Sequence, residues 1–121
     1  MWGYNNFGQL GDGTNKDKNT PVKIMDNVKQ ISLGTYHSGA IKEDGSLWMW
    51  GYNYNGQLGD KTNKDRNTPA KIMDNVKQIS FGEHHSGAIT DDGSLWVWGD
   101  NYNGELGNGR ECKIFCVNLL D

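Results

Sequence analysis

The chain has 121 residues, enough for one modest domain, and carries a formal net charge of −3. Its Lys and Arg residues form no cluster beyond short loops, so neither nucleic acid nor a membrane surface is an expected partner. No apolar run reaches the length of a membrane span, and the cysteines, Cys112 and Cys116, fall too late for a disulfide framework or a zinc set.

In chain order, the first segment already contains the pattern that governs the rest. Trp2-Gly3-Tyr4-Asn5 returns as Trp50-Gly51-Tyr52-Asn53 and again as Trp98-Gly99-Asp100-Asn101, so one period runs from Trp2 to Met49 and the next from Trp50 to Val97. Such a period marks a repeat architecture in which one supersecondary unit packs on the next. Met1 stands directly before the first Trp-Gly, with no signal peptide ahead of it, so the start reads as a cut through a longer array. The compartment is left open, a secreted or cell-surface parent included.

A short strand is expected at 22–25, followed by a turn at Asp26-Asn27. Val28 to Leu33 alternates apolar and polar residues, the period of a strand with one buried face, and Gly34 ends it. Residues 37–41 form the next run. Asp44-Gly45 then signals a hairpin into a strand at 46–50. A polar loop from Tyr52 to Thr68 leads past Pro69 into a strand at 70–73, and the cycle begins again with the same hairpin at Asp92-Gly93. Four short strands per period predict an all-β fold of propeller blades, each of four antiparallel strands. The repeats are assigned to 1–109 (2–49, 50–97 and a partial copy, 98–109). The divergent tail 110–121 is read either as unrelated sequence or as an extra strand from Lys113 to Leu120.

Antiparallel neighbours alternate in direction, so the loops fall on two ends of each sheet. One end is expected to carry Phe7, Tyr36, Tyr52, Tyr54, His84 and Tyr102; the other carries Asp26, Glu43, Asp44, Asp74, Asp91 and Asp92. The copies 2–49 and 50–97 differ at eleven positions, and six of these (6, 7, 13, 18, 35 and 36) lie in the first-end loops. Surface drift explains such divergence, and so does a face that reads a partner. The six aromatic residues are therefore the candidate partner-binding set, Tyr being favoured in such patches.

Catalytic chemistry finds less support. His37-Ser38 and His85-Ser86 are adjacent on a strand, where neighbours point to opposite faces, so neither pair makes a dyad. Trp48, Trp50, Trp96 and Trp98 are read as packing residues, with sugar stacking as the alternative. Asn15–Asn19 and Asn63–Asn67 alternate oxygen ligands, but they lack the turn Gly and closing Glu of a calcium loop. No catalytic residue, metal or cofactor is expected, and the chain is not read as an enzyme.

These motifs together resemble the regulator of chromosome condensation repeat family. They stand here as Trp50-Gly51, Gly56-Gln57-Leu58-Gly59, Thr68-Pro69, Gly82-Glu83-His84-His85-Ser86-Gly87-Ala88-Ile89 and Asp92-Gly93, with the earlier copy from Gly8-Gln9-Leu10-Gly11 to Asp44-Gly45. The resemblance implies a β-propeller, usually of seven blades, whose members act mainly by binding other proteins. The near-verbatim Asn-Lys-Asp-x-Asn-Thr-Pro loops look like the family's bacterial arrays. A nucleotide-exchange role is not carried over, because the chain is acidic, short of blades and without a long insertion. Two functions follow as expectations. One is a non-catalytic module that binds a protein partner through the aromatic loop face. The other is a self-assembling unit whose open strand edges pair with further copies, since two blades cannot close a ring alone. Three chains would then supply six blades, or four chains eight, both within the propeller range.

Overall fold

The computed structural model describes residues 1–99 and the backbone of the strand at 115–118. Among the described residues, eight strands make two antiparallel sheets. The first has the order β1 (Val28–Leu33), β2 (His37–Lys42), β3 (Leu47–Gly51), β4 (Arg66–Met73). The second repeats it with β5 (Val76–Phe81), β6 (His85–Thr90), β7 (Leu95–Gly99) and β8 (Phe115–Asn118). Among the described residues no helix is long and apolar enough to cross a membrane.

The turns follow their residue types. Gly45 and Gly93 hold φ near 86° in the two hairpins, and Asn27 and Asn75 sit at φ 60° between successive units, a conformation Asn tolerates. β1 departs from simple alternation. Its register shifts between Val28 and Gln30, and β5 shifts in the same way between Val76 and Gln78. This bulge places Val76, Ile79 and Phe81 toward the first sheet although they are spaced three and then two apart.

β4 begins at Arg66, four residues earlier than the pattern predicts, because Gly51 already pairs with Arg66. Pro69 is accommodated since β4 is the outermost strand of its sheet. The strand expected at 22–25 is not formed. Its partner is reduced to Met1–Gly3, which bonds Val22 and Lys18 through backbone groups. Met1–Val22 and Gly3–Lys18 lie one full period before Met49–Ala70 and Gly51–Arg66, so the register is kept where the ladder is not. In the tail, Phe115–Asn118 pairs with β7.

The core lies between the sheets. Ile41, Leu47 and Met49 of the first meet Val76, Ile79 and Ala88 of the second, with Leu58 and Trp98 completing the cluster. Polar groups lock the same contact. Gln30 Oε1 accepts the Ile79 N–H at 2.9 Å, and Ser32 Oγ accepts the Phe81 N–H at 3.1 Å.

Candidate functional site

Two Trp-Gly motifs end strands, Trp50-Gly51 closing β3 and Trp98-Gly99 closing β7. Gly51 has φ 111°, and a Cβ there would lie 2.7 Å from the Tyr36 carbonyl oxygen. Only glycine permits so close an approach, and the Tyr52 N–H then donates to that same carbonyl at 2.8 Å. Tyr52 is thereby fixed beside Tyr36.

The long loops are built around a buried asparagine. Asn53 is fully buried, its Nδ2 donating to Asp60 Oδ1 and to the carbonyls of Thr62 and Lys64, all at 3.0 Å. Its Oδ1 accepts the Leu58 N–H, and its own N–H donates to Asp65 Oδ1 at 2.8 Å. Asn5 does the same in the first loop. Of the oxygens that suggested a cation, Asp17 Oδ1 and Asp65 Oδ1 accept the Asn5 and Asn53 N–H groups and Asn15 Oδ1 accepts from Asn67 Nδ2, and among the described residues no three His, Cys, Asp or Glu side chains converge. Burial raises the Asp60 carboxyl, but bonds from Arg66, Thr62 and Asn53 outweigh it and hold the group below its ordinary range.

On this frame five of the predicted aromatics converge. Phe7 lies 4.6 Å from Tyr52 and 5.1 Å from Tyr36 between ring centroids. His84 stacks near Tyr36 at 6.3 Å and meets Tyr52 at 6.0 Å, while Tyr54 stacks on Tyr52 at 6.4 Å. The five rings come from four loops of two repeats and form one continuous patch. Tyr54 is 65% exposed. Burial raises the Tyr52 phenol, and the neighbouring Asp65 adds to the rise. Tyr102 lies outside the described residues.

Tyr4 joins the patch although sequence reasoning misses it, 6.3 Å from both Phe7 and Tyr36 and 52% exposed. Its repeat equivalent, Tyr52, is the available signal. Beside the patch the two long loops touch. Asn67 Nδ2 donates to Asn15 Oδ1 at 3.0 Å, and the Gly13 N–H donates to the Asn67 carbonyl at 2.7 Å.

A His–Ser contact does occur, but across the sheets. His37 Nε2 lies 3.0 Å from Ser86 Oγ, and that hydroxyl donates to the Gln57 carbonyl at 2.6 Å. With the serine proton committed to a carbonyl, the imidazole serves as the donor to Ser86. It therefore does not act as a base toward that hydroxyl. Trp98 Nε1 donates to the same Gln57 carbonyl, and Ser38 and Trp50 repeat the arrangement on Gln9. These groups stitch each loop to the following strands.

Comparison with known proteins agrees with the geometry. The regulator of chromosome condensation repeat is matched at residues 1–41 and 44–89, and a second form of that repeat at 28–57 and 76–105. The ultraviolet-B receptor UVR8 of Arabidopsis thaliana is 39% identical over 51 residues, covering 39% of this chain and 12% of the receptor. Human WBSCR16 shares the fold with a TM-score of 0.75 at 23% identity, over 94% of this chain and 32% of its own. Prp20p of Saccharomyces cerevisiae, solved in work on its binding to Gsp1p and histones, gives 0.73 at 26% identity over the same shares. In its complex with Kap60 it gives 0.71, covering 98% of this chain and 33% of its own. The chain therefore spans about a third of these solved relatives. Its two sheets are blades of a partial β-propeller, and the chain belongs to the regulator of chromosome condensation repeat family.

Proposed function

We propose that this propeller piece is a non-catalytic interaction module that binds a protein partner through the patch of Phe7, Tyr36, Tyr52, Tyr54 and His84, with Tyr4 at its rim. The observation that carries the reading is where the rings come from. Phe7, Tyr36, Tyr54 and His84 all stand at positions where the two repeats differ, while the scaffold beneath them is nearly invariant. Drift would scatter such differences, whereas here they converge on one aromatic surface of rigid side chains suited to protein contact. The recorded binding of Prp20p to Gsp1p, histones and Kap60 makes a protein the expected class of partner. A bacterial origin is supported by the near-verbatim loops alone; the relatives named above are eukaryotic.

Immobilised wild-type chain and the variants Tyr54→Ala, His84→Ala and Asp92→Ala, incubated with extract of the source cells, test the proposal. Proteins held by the wild type should be lost from the two aromatic variants and kept by Asp92→Ala, with folding of all four checked by circular dichroism. Equal retention by all four would refute a loop-face site. Self-association is a separate reading, favoured by the exposed apolar side of β1.

A further inference from the structure

Inside the chain one sheet receives the next through a defined set of groups. Ile79 and Phe81 of β5 lie against β1 and β2, their N–H groups bonded to Gln30 and Ser32. The His37 ring stacks on Phe81 with centroids 4.9 Å apart. Gly39 leaves room for that ring; a Cβ there would lie 2.5 Å from it. His37 Nε2 completes the contact at Ser86.

Both halves of this contact recur, each without its mate among the described residues. The receiving groups return one period later as Gln78, Ser80, His85 and Gly87, which line an open hollow of about 280 Å³. A Cβ at Gly87 would meet nothing closer than 3.6 Å. The inserting groups stand one period earlier as Val28, Ile31 and Leu33, and Ile31 and Leu33 are 60% and 54% exposed. The two bare surfaces are therefore copies of two surfaces that already bind each other within the chain.

We infer that a second copy of this chain seats its β1 in the hollow of the first, repeating the internal contact head to tail. Gln78 Oε1 and Ser80 Oγ accept the N–H groups of Ile31 and Leu33 of the incoming copy. The Leu33 side chain enters the space over Gly87 beneath the His85 ring, and His85 Nε2 donates to Ser38 of that copy. Such a contact is heterologous, so it propagates until the rotation closes a ring.

Continuing the period lays residues 1–25 of the incoming copy over 97–121 of the first, so the two segments compete for the outer edge of β7. Met1–Val22 and Gly3–Lys18 keep the repeat register. By contrast, β8 sits one residue out of it: Val97 pairs with Val117, whereas Met49–Ala70 would place Asn118 there. The contact is accordingly a strand exchange, in which Val22–Met25 of the incoming copy replaces Phe115–Asn118.

Sedimentation velocity over a concentration series tests this on the full chain. The wild type is expected to associate with rising concentration. Ile31→Glu, at an exposed position, removes the inserting half, and Gly87→Phe fills the hollow; each alone should be monomeric, with the thermal midpoint of the wild type at a dilution where it too is monomeric. Mixed together they retain one competent half each, and should form a one-to-one dimer and nothing larger. Tyr54→Ala should associate as the wild type does, which separates this contact from the loop-face site. A wild type that stays monomeric throughout, single variants that associate normally, or a mixture that fails to pair would each overturn the inference.

Discussion

The two blades carry nearly the same strands and bury them differently. Ile31 is 60% exposed and Ile79, its repeat equivalent, 7%. His37 is buried, while His85 is half-buried. Trp98 is fully buried, whereas Trp2, which opens the first repeat with the same Trp-Gly, is 62% exposed. Repeat-equivalent side chains therefore differ in burial according to what lies against them. Burial belongs to the contact between repeats, and this is why a single unit of a repeat fold has no complete core.

The sharpest way to break that comparison is to truncate equivalent residues and compare the losses. Trp98→Ala should cost about 3–5 kcal/mol in chemical denaturation, from lost burial and the severed bond to the Gln57 carbonyl. Trp2→Ala should fall within about 0.5 kcal/mol of the wild type. Equal costs would mean that the sequence of the unit, and not its neighbour, sets burial.

Glycine pairs give a smaller contrast of the same kind. Gly39→Ala drives a methyl into the Phe81 ring and should destabilise by roughly 1–3 kcal/mol. Gly87→Ala meets only ordinary contacts and should be near neutral, within about 0.5 kcal/mol. The two thermal midpoints, measured side by side, check the difference.

Acid should reveal the buried histidine. Burial, with His84 and His85 adding repulsion, pushes His37 from its ordinary 6.5 down to about 3. Its folded-state value is depressed, so its contribution is fully present above pH 6.5 and is lost as the pH falls toward 3. The unfolded chain binds the proton that the folded chain refuses, and stability should fall by up to about 1.4 kcal/mol per pH unit in that window. Denaturant midpoints taken downward from pH 6.5 should show this slope, and His37→Gln should flatten it.

Most of the fold can be read from sequence because its punctuation is chemical. Asp44-Gly45 and Asp92-Gly93 announce hairpins, and Trp50-Gly51 marks where a strand must pass close to a loop. The bulge at Val28 and Gln30 is less legible, since V-K-Q-I-S-L fits plain alternation nearly as well. The early start of β4 is set by pairing with Gly51, which no local propensity encodes. At the candidate site, topology places five rings on one end of the blades, and the structure joins them into one patch. Tyr4 is legible only through its repeat equivalent Tyr52, since both stand at a position the repeats share and divergence marks neither.

That pattern permits a direct test of the claim that divergence between otherwise matching repeats encodes recognition. Asn6 and Asn55 are the residues that the other copy carries in place of Tyr54 and Phe7. The double variant Phe7→Asn, Tyr54→Asn therefore gives each loop a residue its twin already folds with. Measured against a partner retained by the wild type, it should keep its fold by circular dichroism and lose at least about tenfold in affinity, roughly 1.4 kcal/mol. Binding equal to that of the wild type would contradict the account and return those differences to surface drift.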